Sequence, residues 1–285
     1  MIKRLINFYK NSSPDTAQSS MSQIWQGITS VYQKKLFDAL KSENEESVAH
    51  ELDQFVVSGG SHGMEYSPDI YSLPHPGLDR SQLNDEELAI PSVSPGSVGK
   101  TFSGMVALLI HQLRGGVPKN VLEIGAGLGF VGVIMSKWGA KSYTDIDLPT
   151  NALAAAFFFS RCCGEDQVFL GSEPVDPNSR FASYYSATNF AAAKNRKYDL
   201  MCNINSFPEI PNHMQDSYVN LISECLDADG IFLSINHENT VLGQRSVTNA
   251  MKSCPALVCV SKKPAFFGNQ LDASAGYKEE IYKKA

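Results

Sequence analysis

A glycine-rich turn directly after a short apolar strand constrains this fold more than any other feature of the sequence. Residues 121–124 are Val-Leu-Glu-Ile, and Gly125, Gly127 and Gly129 follow at alternate positions. Glycine has no Cβ, so such a turn can be sharp and a ligand can approach its backbone closely. The helical pattern of residues 128–138 completes a strand-turn-helix unit. We therefore expect a ligand to lie against this turn.

Strand and helix patterns alternate along the second part of the chain. Because parallel strands need a crossover that a helix supplies, this alternation predicts an α/β fold with helices on both faces of a parallel sheet. Two extended runs at the end of the chain, joined by a loop with glycines, predict an antiparallel hairpin. The predicted sheet is Rossmann-like, with five parallel strands plus a C-terminal antiparallel hairpin. The predicted strands are residues 121–124, 142–146, 168–170, 200–204, 231–235, 256–261 and 277–284, and the predicted helices are residues 98–113, 128–138, 150–163, 214–226 and part of 179–193.

The first 97 residues differ in character from the rest. Apolar residues at helical spacing in residues 16–57 predict two or three amphipathic helices. Residues 58–99 are rich in Gly, Pro, Ser and His, which predicts a long ordered loop. We divide the chain into an N-terminal helical extension with a lid-like loop, residues 1–97, and a main domain, residues 98–285. The helices need a partner for their apolar stripe, so they are expected to form a homo-oligomer interface or to cover the ligand pocket.

Charge and apolar patterning restrict the partners of the chain. The formal net charge of −6 argues against broad binding of nucleic acid or anionic lipid, because both need clustered Lys and Arg. No apolar run reaches the roughly 18 residues of a membrane-spanning helix, and the first residues lack the apolar core of a secretory signal. The six cysteines include no C-x-x-C pair, which is typical of a reducing compartment. These features predict a cytoplasmic protein that acts on a small molecule, with no nucleic-acid or membrane partner.

The spacing of the glycines favours one class of nucleoside ligand. A dinucleotide-binding turn places its third glycine one position later, where this chain has Phe130. A pyrophosphate is therefore disfavoured, and the uncharged sugar and sulfonium end of S-adenosylmethionine are favoured. With the predicted sheet, this resembles the class I methyltransferases. The backbone of Gly125, Ala126, Gly127 and Gly129 is predicted to contact the cofactor.

Acidic residues follow the pattern expected around such a cofactor. Asp147 ends the second strand, where a carboxylate can accept two hydrogen bonds from a ribose diol. Asp145 points to the same face and is the alternative. The resemblance to methyltransferases implies that Glu123, inside the first strand, lies near the cofactor's ammonium group. Ser172 follows the third strand and is predicted to hydrogen-bond the adenine amine, with an ordinary turn as the alternative.

Four motifs resemble the sugar O-methyltransferase family within that class. The glycine motif is common to the whole class, whereas the second and third motifs are more specific. The resemblance covers roughly residues 98–284 and implies methyl transfer to a hydroxyl of a sugar or sugar nucleotide, in glycan or natural-product biosynthesis. Transfer to another natural-product hydroxyl or amine, and a non-catalytic scaffold that binds the cofactor, are the alternatives. The motifs are Val121-Leu122-Glu123-Ile124-Gly125-Ala126-Gly127, Asp147-Leu148-Pro149, Asn203-Ile204-Asn205-Ser206-Phe207-Pro208-Glu209-Ile210-Pro211 and Ser234-Ile235-Asn236.

Polar residues after the fourth and fifth parallel strands are the candidates for the acceptor side, because ligands of such sheets lie at the carboxyl ends of the strands. His237 is the predicted general base, since imidazole titrates near neutral pH, and Glu209 is the second candidate. A surface histidine and a helix cap are the respective alternatives. Asn205 and Asn236 are predicted to bind acceptor hydroxyls.

Three further expectations concern single contacts, and a fourth concerns a metal ion. Asn203 is predicted to contact the cofactor, and His62 and Tyr66 of the lid-like loop are predicted to contact the acceptor. A Mg²⁺ ion is conceivable if Asp145, Glu209 and His237 converge, since hard cations prefer oxygen ligands. Their spacing does not by itself establish a metal site.

Overall fold

An eight-stranded mixed sheet forms the centre of the molecule. The computed structural model describes residues 1–12, 26–27, 33–57, 98–176, 179–238, 243–265 and 276–285. The strand order across the sheet is β3-β4-β2-β1-β5-β6-β8-β7. The first six strands run parallel to one another, and β7 and β8 are antiparallel at one edge. The strands are β1 (Asn120–Ile124), β2 (Ser142–Asp147), β3 (Val168–Leu170), β4 (Phe181–Ser186), β5 (Tyr198–Ile204), β6 (Leu226–Asn236), β7 (Leu257–Pro264) and β8 (Lys278–Lys284).

Helices cover both faces of the sheet and enclose two hydrophobic cores. One core contains residues of α1 to α6, and the other contains residues of α7 and α8. Within the described residues, no helix is both long enough and apolar enough to span a bilayer. The helices are α1 (Ile2–Asn11), α2 (Lys34–Ser42), α3 (Glu45–Val57), α4 (Val98–Arg114), α5 (Phe130–Trp138), α6 (Pro149–Cys163), α7 (Asn212–Cys225) and α8 (Val247–Met251).

The predicted α/β fold with a terminal antiparallel hairpin is confirmed, with one correction. The segment in residues 179–193 that was expected to be helical contains β4 instead, so six strands are parallel rather than five. All residues of Phe181–Ser186 are buried. Burial on both faces removes the alternation that marks a half-buried strand, so periodicity could not identify β4. Its position matters because β4, and not β3, is the neighbour of β2.

The sixth helix joins the N-terminal helices to the sheet. Proline begins α6, where its missing N–H costs nothing, and residues 149–159 are all buried. A helix that is apolar on all sides needs cover on its outer face as well. Helices α1 and α3 provide that cover. Helix α1 was not among the predicted helices, and its buried side chains are Leu5, Ile6, Phe8 and Tyr9.

Candidate functional site

A cavity of about 270 Å³ lies at the carboxyl ends of β1, β2 and β5. The strand order reverses between β1 and β5, and ligands of open α/β sheets bind in the crevice at such a reversal. The walls come from the turn after β1, the end of β2, the turn after β4, and the connection from β5 to α7. They include Glu123, Gly125, Ala126, Gly127, Phe130, Asp147, Leu148, Ala187, Asn205, Ser206, Glu209 and Met214.

The glycine turn shapes one wall of this cavity. Gly125 and Gly127 have φ angles of +72° and +61°, which L side chains rarely adopt. A Cβ at Gly125 would lie 2.3 Å from Ser206 Oγ, whereas a Cβ at Gly127 would meet no atom within 4 Å. Gly129 precedes α5 at its N-cap position and is absent from the described wall. The backbone of Gly127 is therefore open to a ligand.

Asp147 presents its carboxylate to the cavity from the end of β2. Its Oδ2 accepts a hydrogen bond from the N–H of Gly127 at 2.9 Å, and its Oδ1 accepts from the N–H of Leu148 at 2.6 Å and from Asn151 Nδ2 at 3.2 Å. Burial raises the pKa of Asp147 to about 6, although these three donors oppose the rise. A carboxylate offers about four acceptor positions, so the group can still accept a hydrogen bond from a ligand.

Two further carboxyl groups lie beside Asp147. Glu123 borders the cavity, and its Oε2 accepts a hydrogen bond from the hydroxyl of Tyr143 at 2.7 Å. Burial and the charge of Asp147 raise the pKa of Glu123 to about 7, while the Tyr143 hydroxyl lowers it. Asp145 pairs in register with Glu123, is fully buried and does not reach the cavity wall. Of the two candidates for the ribose, Asp147 is the one at the wall.

The side chains of Asn203 and Asn236 hold the connection after β5 in place by hydrogen bonds. Asn203 Nδ2 donates to the carbonyl of Ile124 and to Ser206 Oγ, both at 2.7 Å. Asn236 Oδ1 accepts from the N–H groups of Ser206 and Phe207 at 3.0 and 3.1 Å. Both side chains are buried and neither borders the cavity. The expected contacts of Asn203 with the cofactor and of Asn236 with the acceptor therefore do not fit these positions, because both amides are engaged in holding the backbone.

Asn205 and Glu209 are the predicted acceptor-side residues that border the cavity. Asn205 has a φ of +56°, and its Oδ1 accepts a hydrogen bond from the hydroxyl of Tyr277 at 2.6 Å. His237 is not part of the wall, and its ring centroid lies 5.6 Å from that of Tyr277 in an edge arrangement. Tyr277 was missed by the sequence analysis, since its place beside Asn205 depends on how the C-terminal hairpin docks against β6.

Ser172 lies away from the cavity. It borders a separate recess together with Arg4 and Phe8 of α1. The turn after β4 lies at the cavity instead, since Ala187 lines it and the N–H of Ala187 donates to the carbonyl of Asp147 at 2.7 Å. Ser172 therefore does not border the cavity where the adenine contact was expected, because β4 lies between β2 and β3.

The residues considered for Mg²⁺ do not converge. Asp145 is sealed within the sheet, Glu209 is on the wall and His237 is outside it. In the part of the chain that the structure describes, no three His, Cys, Asp or Glu side chains are grouped as ligands for a metal ion.

The predicted acceptor contacts His62 and Tyr66 lie outside the described residues.

Comparisons with known proteins find likeness in the fold. The sequence matches no protein-family model and no curated protein. A ribosomal protein L11 methylase from Lactobacillus delbrueckii subsp. bulgaricus is 14% identical, with a TM-score of 0.43 over 65% of this chain and 79% of that chain. A TehB-like SAM-dependent methyltransferase from Corynebacterium glutamicum is 16% identical, with a TM-score of 0.45 over 63% of this chain and 86% of that chain. The CcbJ methyltransferase from Streptomyces caelestis is 12% identical, with a TM-score of 0.45 over 64% of this chain and 95% of that chain.

Proposed function

We propose that the protein is an S-adenosylmethionine-dependent O-methyltransferase that acts on a hydroxyl of a sugar or sugar nucleotide. One observation carries the proposal. A glycine turn with an open backbone, a strand-end carboxylate and a buried glutamate surround the same cavity, at the point where the strand order reverses. The motifs that resemble sugar O-methyltransferases support the choice of acceptor.

The groups around the cavity fit the cofactor part by part. Asp147 can accept hydrogen bonds from a ribose diol, and Glu123 can face an ammonium group. The space beside Gly127, where a side chain would project, leaves room for the ligand against the backbone. The turn that contains Ala187 would contact the adenine ring, since Ala187 lines the cavity beside Asp147.

The acceptor side needs a group that orients the hydroxyl and a group that takes its proton. When bound, the cofactor supplies a methyl group on a sulfonium. Asn205 would hold the acceptor by hydrogen bonds, and the Glu209 carboxylate would accept the hydroxyl proton as the methyl carbon gives up its bond to sulfur, leaving a neutral thioether, and bonds to the hydroxyl oxygen. Orientation and a positioned base together provide much of the rate of such reactions. We assign the base to Glu209 rather than to His237, because Glu209 borders the cavity.

A Glu209→Gln variant tests this assignment. Nucleotide-linked sugars are first screened for methyl transfer with the wild-type protein. The variant should then lose about 10²–10⁴-fold in kcat, because it lacks the base, while its affinity for S-adenosylhomocysteine stays within about twofold. His237→Ala serves as the matched comparison and should lose far less. If His237→Ala shows the large loss of kcat and Glu209→Gln does not, the base is His237. If the screen finds methylation only of other hydroxyls or of amines, the sugar assignment is wrong.

A further inference from the structure

Three carboxyl groups lie close together on one face of the sheet, next to the cavity. Glu123 and Asp145 are register partners on β1 and β2, and neighbouring strands lie only about 4.8 Å apart. Asp147 follows Asp145 by two positions and therefore points to the same side. All three side chains are buried, and Asp145 has no exposed surface. Glu123 and Asp147 border the cavity, whereas Asp145 lies behind them.

Within the part of the chain that the structure describes, neither carboxyl oxygen of Asp145 has a hydrogen-bond partner. The hydroxyl of Tyr184, its register partner on β4, also has none. Native proteins rarely leave a buried polar group in this state, and a buried ionised carboxylate without a partner is still more costly. Such a group must either hold a proton or be compensated by a positive charge.

No Lys or Arg of the described residues provides that compensation. Among the described residues, no Lys or Arg acts on the pKa of Glu123, Asp145 or Asp147. Burial raises the pKa of Asp145 well above its usual range, and the charges of Asp147 and Glu123 raise it further. The nearby backbone of Ala126 lowers this pKa, although it does not form a hydrogen bond to Asp145. The titratable groups around Asp145 are Glu123 of β1, Tyr143 and Asp147 of β2, Tyr184 of β4, Cys202 of β5 and Tyr218 of α7.

We propose that Asp145 is a specificity-determining residue of this site. Because of Asp145, the three carboxyl groups together retain one proton, and a cationic ligand expels that proton. The site therefore favours S-adenosylmethionine over S-adenosylhomocysteine. This inference rests on the proposed function, because it concerns the same cavity. The sulfonium gives the methyl donor one more positive charge than the thioether product. Close carboxyl groups in a low dielectric cannot all ionise, and they share their protons as one coupled system. A nearby positive charge stabilises the fully ionised set, and the displaced proton passes to the solvent.

Proton release on binding distinguishes the two ligands. Calorimetric titrations of the wild-type protein at pH 7, in two buffers of different ionisation enthalpy, give the number of protons released by each. S-adenosylmethionine should release at least about half a proton more than S-adenosylhomocysteine. Because proton release sets how affinity changes with pH, the affinity for S-adenosylmethionine relative to that for S-adenosylhomocysteine should rise about threefold per pH unit between pH 6 and 8. Equal release by the two ligands would overturn the inference and leave the proposed function intact. If neither ligand binds, the proposed function itself fails.

The Asp145→Asn variant assigns the effect to Asp145. Asparagine has nearly the same shape but cannot ionise, so the affinity ratio of this variant should change less steeply with pH than that of the wild type, and the remaining change should come from Glu123 and Asp147. Tyr184→Phe is the matched control, since it removes the neighbouring buried hydroxyl and leaves all three carboxyl groups in place. It should keep the wild-type pH dependence. A wild-type response in Asp145→Asn would show that Asp145 holds its proton throughout, which contradicts the proposal. If the variant does not fold, the wild-type titration still tests the displaced proton, and equal release by the two ligands would still overturn the inference.

Discussion

Gly125 and Gly127 have similar backbone conformations but different surroundings. Both have positive φ angles, so any L side chain is strained at either position. A Cβ at Gly125 would collide with Ser206, which is held by hydrogen bonds to Asn203 and Asn236. A Cβ at Gly127 would project into open space beside the cavity. The first glycine is required for packing, and the second is available to a ligand.

Alanine substitutions separate these two requirements. Gly127→Ala should lower the free energy of unfolding by about 1–2 kcal/mol, which is the strain of the backbone alone. Gly125→Ala should lower it by about 1–3 kcal/mol more, because the methyl group also overpacks against Ser206. Denaturant unfolding measures both values, and titration with S-adenosylhomocysteine should show weaker binding for Gly127→Ala although it remains folded. Equal losses of stability in the two variants would contradict the role given to Ser206.

The sequence predicted the residues of the turn better than those of the acceptor side. Gly125, Gly127 and Asp147 are close in sequence to the strands that carry them, so their places follow once the strands are known. Tyr277 and Asn205 are 72 positions apart in sequence, and their contact depends on the docking of distant elements. Residue type suggested a ligand-binding role for Asn236, but only the structure shows its amide bound to the backbone.

At the scale of elements, the N-terminal helices are linked to the cofactor side of the cavity. Gln33 directly precedes α2 and is buried. Its Nε2 donates to Asn151 Oδ1 at 3.0 Å, and its Oε1 accepts from the hydroxyl of Thr150 at 2.7 Å. Asn151 in turn donates to Asp147 Oδ1 at 3.2 Å. The beginning of α6 thus connects α2 to the carboxylate that faces the cavity.

Replacing Gln33 should weaken cofactor binding from outside the cavity. Gln33→Ala removes the donor to Asn151 Oδ1, so Asn151 orients Asp147 less firmly, and affinity for S-adenosylhomocysteine should fall by about 0.5–1.5 kcal/mol. Lys35→Ala, at an exposed position of the same helix, is the matched control and should bind as the wild type does. Circular dichroism confirms that both variants are folded. If Gln33→Ala binds as tightly as Lys35→Ala, the link between α2 and Asp147 has no effect on the site.

The elements that the sequence predicted well are those with a clear period or a clear breaker. Helices α5, α6 and α7 and the C-terminal hairpin lie within a few residues of their predicted positions. Strand β4 has buried residues on both faces and no period of two, so it could not be distinguished from a buried helical segment. That single error also placed Ser172 at the expected site, whereas Ala187 of the turn after β4 is the residue that lines the cavity.

At the scale of the whole molecule, the N-terminal helices belong to the same hydrophobic core as one face of the sheet. Leu5, Leu40 and Leu52 of these helices are fully or almost fully buried in the core that contains Val121 and Phe158. Apolar spacing predicted the helices of residues 16–57 but could not show which surface they cover. They cover α6, whose outer face is apolar. That need for cover becomes apparent only when α6 is placed on the sheet. The described N-terminal helices therefore have a partner for their apolar stripe within the chain itself.

The central claim is that the cavity at the carboxyl ends of β1, β2 and β5 binds the cofactor through Asp147. Calorimetric titration of the purified protein with S-adenosylhomocysteine, compared between the wild type and the Asp147→Ala variant, tests it most directly. We predict one site per chain and a loss of about 1–3 kcal/mol in the variant, the scale of hydrogen bonds to a charged group. No binding by the wild type, or equal affinity in a folded Asp147→Ala variant, would contradict the claim.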